Sequence, residues 1–156
     1  MPGAARHWRE ISEQLDLRLL ELWTMKGATR LEHVPRLPAA AGIYLFLDLG
    51  RPLYVGRTSN LRERLARHMR PSSKHNSASF AYLLAKETHL RETGSKASGR
   101  RADIEVALQQ HFAAAKAKIS NMEIRYVLCD DPHFRAVFEV YAAVMLGTPY
   151  NDFGEH

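Results

Sequence analysis

Two tyrosines, an arginine, a histidine and a late glutamate are the residues of this chain whose types and spacing suit chemistry. Tyr44 and Tyr54 lie within Gly42-Ile43-Tyr44-Leu45-Phe46-Leu47-Asp48-Leu49-Gly50-Arg51-Pro52-Leu53-Tyr54-Val55-Gly56-Arg57. This stretch reads as two short strands joined by a tight turn. Folded about Leu49, it sets Tyr44 opposite Tyr54. Side chains alternate along a strand, so Tyr44, Phe46 and Tyr54 share one face, while Ile43, Leu45, Leu47, Leu53 and Val55 share the other, buried one. Two phenols on one face are either an aromatic pair that holds the hairpin together or the wall of a groove. Arg64 and His68 follow on a predicted helix, four residues apart and therefore pointing the same way, at the border of that groove. Glu139 is the only charged residue between Ala136 and Tyr150. A carboxylate on so apolar a helix needs a partner. That partner is either Arg135 on the same helix or a hard divalent cation, which prefers carboxylate oxygen.

The elements that must position these groups can be read from periodicity. Trp8, Ile11, Leu15, Leu19, Leu22 and Trp23 recur at helical spacing and predict one packing helix over 4–26, stopped by Gly27. Pro35 and Pro38 predict an extended connector over 28–41. Asn60 and its neighbours cap a helix over 61–70 with Leu61, Leu65 and Met69 inward. A loop over 71–77 leads to a helix from about 78 to 92, then to the glycine- and serine-rich basic loop 93–101. Asp103 is expected to cap a helix over 103–119. Met122–Leu128 alternates as a third strand. Asp130-Asp131-Pro132 turns into a last helix over 133–147, with Phe134, Val137, Phe138, Tyr141 and Met145 as its buried stripe.

The chain has 156 residues and a net charge of +5, with sequence pI near 9.6. The segment from Arg51 to Arg101 holds twelve Lys and Arg against three Glu, net +9, while the remainder is net −4. Positive charge gathered beside the hairpin suits a polyanion such as DNA or RNA. Arg67, Arg70, Lys74, Lys96, Arg100 and Arg101 are the candidate contacts to a phosphate backbone. No run approaches 18 apolar residues, so no membrane partner is expected. A single cysteine, Cys129, and no visible secretory leader agree with a cytoplasmic setting. With one cysteine and eight scattered histidines, a zinc enzyme is not expected.

The tripeptides Gly42-Ile43-Tyr44 and Tyr54-Val55-Gly56 resemble the two-part signature of the GIY-YIG nucleases. Arg64 eight residues past Gly56, His68 on the next turn, and Glu139 followed by Pro149 and Asn151 are similar to the family's further elements. Val55 stands where the signature has Ile, and Arg57 where several relatives carry Lys. The resemblance covers roughly residues 39–151. It implies an α+β fold, a small three-stranded antiparallel sheet flanked by helices. A single domain over 1–156 would then comprise an N-terminal helix and connector (1–38), a family core (39–151) and a helical insert (71–121). The insert resembles that of a stand-alone or restriction-type member. The implied activity is metal-dependent hydrolysis of DNA phosphodiester bonds, on duplex or branched DNA, with one Mg²⁺ or Mn²⁺ per site. Glu139 would hold the metal and Arg64 would neutralise the phosphate. Arg57 and Arg64 would help a tyrosine lose its proton, His68 would relay it, and Asn151 would orient the site. Tyr44 is preferred as the base, with Tyr54 orienting water. Double-strand cleavage from one site per chain would call for a homodimer or sequential cuts. The rival reading is a nucleic-acid-binding module that has kept this fold without catalysis.

Overall fold

The structure, a computed structural model, describes residues 2–26, 31–70 and 79–153. Gly27 and the loop 71–77, Lys74 included, lie outside them. β1 (Gly42–Asp48) and β2 (Arg51–Thr58) form the expected hairpin, and β3 (Glu123–Leu128) pairs on the other side of β1. The sheet order is β2-β1-β3, antiparallel throughout. Ile43 to Leu47 are all fully buried, as a central strand covered on both faces must be. The turn is Leu49-Gly50, with φ of +51° and +78°. Two successive left-handed residues give the mirrored turn whose twist matches the flanking strands. Glycine adopts this readily; a leucine there is strained.

The register differs from the one expected. Pairing runs Asp48↔Arg51 and Leu47↔Pro52, then slips to Phe46↔Tyr54, with Tyr44 opposite Gly56. Leu53 is the extra residue of a β-bulge, which re-aims side chains on the bulged strand. Tyr54 therefore faces Phe46, not Tyr44, and Leu53 joins the core on the face of Tyr44 and Phe46 instead of the one assigned to it.

Helices cover both faces. α3 (Leu61–Met69), α4 (Ser79–Thr93) and α5 (Arg101–Ser120) pack with Tyr44 and Phe46. On the other face Ile43, Leu45, Leu47, Val55 and Val127 meet α2 (Leu15–Thr24) and α6 (Pro132–Leu146). The predicted N-terminal helix is two helices. α1 (Pro2–Ser12) ends in a turn at residues 13–14 before α2 begins. Ile11, Leu15 and Leu22 are buried, but Trp8 and Trp23 are exposed, and Trp23 carries Arg125 on its ring. The connector is not simply extended: Leu31–Arg36 winds into a 3-10 helix that includes Pro35. Asp103 is not the cap of α5, which starts two residues earlier after Arg100. α6 begins at the cap Asp131 and ends at Gly147, φ +60°. It buries Phe134, Phe138, Ala142 and Ala143, while Met145 is exposed, so its inward stripe runs through the alanines. Small residues let α6 lie close to the sheet. No described helix is long and apolar enough to cross a membrane.

Candidate active site

Tyr44 reaches the site because β1 is central and its partner across β2 is Gly56. A Cβ at Gly56 would lie 2.3 Å from Tyr44 Cζ and 2.4 Å from its hydroxyl, so the ring occupies the room that a side chain would take. The phenol is fully buried. Its oxygen accepts from Arg64 Nε at 3.1 Å and lies 3.2 Å from His68 Nε2. The helical spacing points Arg64 and His68 the same way, and the packing of α3 on β1 brings both to one atom. Asn60 makes this possible by capping α3: its Oδ1 accepts from Glu63 N at 3.1 Å. The hydroxyl and His68 Nε2 share one hydrogen bond, whose donor is set by the imidazole tautomer. Burial, and secondarily the charge of Arg64, depress the His68 pKa to about 3, which keeps the ring neutral. Burial likewise pushes the Tyr44 phenol well above its ordinary value, and Arg64 only partly offsets it.

Tyr54 stands beside Tyr44 with ring centroids 6.3 Å apart, is half-buried, and is a second phenol partner of Arg64. Two residues not singled out in the sequence complete this wall. Phe80 stacks on Tyr54 at 4.9 Å with the planes 7° apart, and Ser79 Oγ accepts from Arg64 at 3.3 Å. Phe80 read only as a core position of its helix, and a serine at a helix start carries no distinguishing signal.

Glu139 does not pair with Arg135, whose guanidinium donates to the carbonyls of Cys129 and Asp130. Its partner is Arg57 of β2, Nε to Oε2 at 3.0 Å. Burial raises the Glu139 pKa above the ordinary glutamate range, while Arg57 and, further off, Arg64 pull it back. Glu139, Tyr44 and Arg64 sense one another electrostatically, although they come from α6, β1 and α3. Asn151 fixes this meeting. Its Oδ1 accepts from Val55 N at 2.8 Å and from Thr148 Oγ1 at 2.8 Å, and its Nδ2 donates to Val55 O at 2.7 Å. Both backbone groups of Val55 are satisfied by one amide, which moors the segment after α6 to the strand that carries Tyr54 and Arg57.

The basic candidates do not converge. Arg67 is exposed and ion-paired with Glu63. Arg70 is exposed, and its carbonyl accepts from Lys116 Nζ at 2.9 Å. Lys96 and Arg100 are exposed in the connection between α4 and α5, with Arg100 3.4 Å from Asp103. The side chain of Arg101, like Lys74, lies outside what is described. Ser79 opens α4 and Lys96 follows its end; at 1.5 Å per residue, the 15-residue helix separates them by about 20 Å.

The three-stranded α+β domain buries a tyrosine hydroxyl of its central hairpin between an arginine and a histidine, and a carboxylate of α6 pairs with Arg57 of the same hairpin. Residues 40–114 match the model of the GIY-YIG catalytic domain. It is similar to UvrABC system protein C of Deinococcus radiodurans, 37% identical over 43 residues, which is 28% of this chain and 7% of that protein. It is also similar to the GIY-YIG N-terminal endonuclease domain of UvrC from Thermotoga maritima. A form of that domain bound to magnesium as its catalytic divalent cation is 14% identical, covering 78% of this chain and 93% of that one, with TM-score 0.42. A point mutant with its catalytic divalent cation is also 14% identical, covering 78% and 92%, with TM-score 0.42.

Proposed function

We propose that this chain is a metal-dependent endonuclease that hydrolyses DNA phosphodiester bonds at one GIY-YIG site. The observation that carries the reading is the convergence of Arg64 and His68 on the buried hydroxyl of Tyr44, with Glu139 in electrostatic reach. A folded protein gains little stability from burying such a network, so its cost points to use.

The donor set fits a hard divalent cation. Glu139 offers one half-buried carboxylate, and Mg²⁺ or Mn²⁺ is commonly held by one or two carboxylates while keeping several waters. Arg57 neutralises that carboxylate here. A bound Mg²⁺ would polarise a phosphate oxygen and offset charge on the leaving 3′ oxygen. Arg64, half-buried and cationic, would neutralise the charge that grows on the phosphate. Arg57, half-exposed at the end of β2, would hold the incoming phosphate once released from Glu139. Burial keeps Tyr44 as the neutral phenol, which cannot take a proton from water, and His68 is too weakly basic to remove the phenol proton. This favours the opposite division of labour from the one read in the sequence: Tyr54, half-buried, takes the proton from water, and Tyr44 holds Arg64 and His68 in place. Asn151 keeps the strand and α6 in register.

The test is nicking of supercoiled plasmid with Mg²⁺ or Mn²⁺ against EDTA. Glu139→Gln should bind DNA and leave it intact. DNA binding without cleavage by the wild-type protein, at any metal, would leave the binding-module reading in its place. Linear, supercoiled and branched substrates in the same assay identify the preferred DNA form, and sedimentation with and without DNA tests the homodimer.

A further inference from the structure

On the side of the molecule formed by α1 and the start of α6, a second group of metal-ligating side chains comes together. His7 of α1, Asp131 at the cap of α6 and His133 in its first turn bring one donor atom each to within 4.8 Å of one another. His133 Nδ1 lies 3.6 Å from Asp131 Oδ1, and the two imidazoles meet edge to face with centroids 5.5 Å apart at 88°. His7 and His133 come from opposite ends of the sequence, and both are exposed, so hydrophobic packing does not account for their pairing. Asp131 is oriented by its own helix: Oδ1 accepts from His133 N at 2.8 Å and Phe134 N at 3.3 Å, leaving its other oxygen available. Glu10, with Oε2 3.9 Å from His7 Nδ1, is a further oxygen donor at the rim. The adjoining groove of about 430 Å³ is lined by His7, Glu10, Cys129 and Asp131 among others, so the group is open to solution. Arg18 shares that groove, but its guanidinium is engaged by Glu21 and the carbonyl of Leu128.

We propose that His7, Asp131 and His133 form a second metal site, for a borderline divalent cation such as Zn²⁺, Ni²⁺ or Co²⁺, that ties α1 to the N-terminus of α6. Two imidazoles and one carboxylate suit these ions, whereas Mg²⁺ prefers an all-oxygen set and does not compete for them. The site is separate from Glu139, eight residues further along α6 and therefore about 12 Å away along its axis. Its role is mechanical: a metal there links the N-terminal helix to the helix that carries Glu139.

The experiment strips the full chain with EDTA, adds saturating Mg²⁺, and titrates Zn²⁺ by calorimetry alongside thermal unfolding. The expected result is one Zn²⁺ per chain and a rise in Tm of roughly 5 °C at a hundredfold excess over Kd. His133→Ala and Asp131→Asn should each weaken Zn²⁺ at least about tenfold. The second keeps the helix cap, because asparagine caps as well as aspartate, so its loss of binding is not a folding defect. Mg²⁺-dependent nicking by His133→Ala should be unchanged. His111→Ala is the control, since His111 pairs edge to face with His89 and lies 3.7 Å from Glu92. Zn²⁺ affinity that survives in both His7→Ala and His133→Ala, or that falls in His111→Ala instead, overturns the proposal.

Discussion

The two faces of the sheet are built from alternate residues of the same buried strand, yet they serve different ends. On one face Ile43, Leu45 and Leu47 meet Phe134, Phe138, Ala142 and Ala143, and every buried member is aliphatic or a phenylalanine. On the other, Tyr44 and Phe46 pack against α3 and α4 with His68 fully buried among them and Arg64 reaching in. There, the Nδ1 of His68 has no partner among the described residues. Buried polar atoms weaken a core unless each is paired. The first face therefore supplies stability, and the second gives up some of it to hold three polar groups in fixed positions.

The sharpest way to break this contrast is at the polar groups. Arg64→Ala and Glu139→Gln should each lower the rate of plasmid nicking by about a thousandfold or more. Glu139→Gln should not lower Tm near neutral pH. The raised Glu139 pKa means that the ionised form is the less favoured one in the folded chain, so removing its charge removes a cost. A variant that cuts at the wild-type rate removes that residue from the site.

Leu45→Ala, on the face of the sheet opposite Tyr44, should cost about 2–5 kcal/mol in denaturant unfolding while activity per folded molecule stays unchanged. A selective activity loss there would mean that the two faces are not separate in function. Gly56→Ala lies between the two cases. Its new Cβ must displace the Tyr44 ring, so nicking should fall about tenfold or more alongside a loss of roughly 1–3 kcal/mol.

The next effect is in pH. His68 titrates near its ordinary 6.5 when unfolded and near 3 when folded. Stability should be present in full above pH 6.5 and be lost as pH falls toward 3, by at most about 1.4 kcal/mol per pH unit from this group. Tm against pH, compared with His68→Phe, should show a shallower acid limb in the variant. An identical limb would mean that His68 is not buried and neutral. The smallest effect belongs to the loop between α4 and α5. Lys96→Ser with Arg100→Ser should flatten the salt dependence of DNA binding and change nicking less than about threefold, because the loop stands far from Arg64. An unchanged salt slope would take the loop out of the DNA footprint.

Local chemistry was legible in the residues themselves. The hairpin, the Asn60 cap, the helical pairing of Arg64 with His68 and the third strand depend on neighbours within a few positions, and all appear in the structure. Errors arose where one residue shifts the outcome. The turn at Leu49-Gly50 and the bulge at Leu53 moved Tyr54 from Tyr44 to Phe46. The turn at 13–14 split a stripe that periodicity joined, leaving Trp8 and Trp23 exposed. Bulges and helix breaks carry weak local signals, and a period alone does not reveal them.

The sequence by itself determined which groups are available and which lie on one helix turn or one strand face, because backbone geometry fixes those relations over a few residues. Only the tertiary structure decided that Glu139 pairs with Arg57 instead of Arg135, that Gly56 makes room for the Tyr44 ring, and that Asn151 moors the chain end to Val55. Each of these joins residues distant in sequence, and such contacts are set by how the layers pack, which no local pattern encodes.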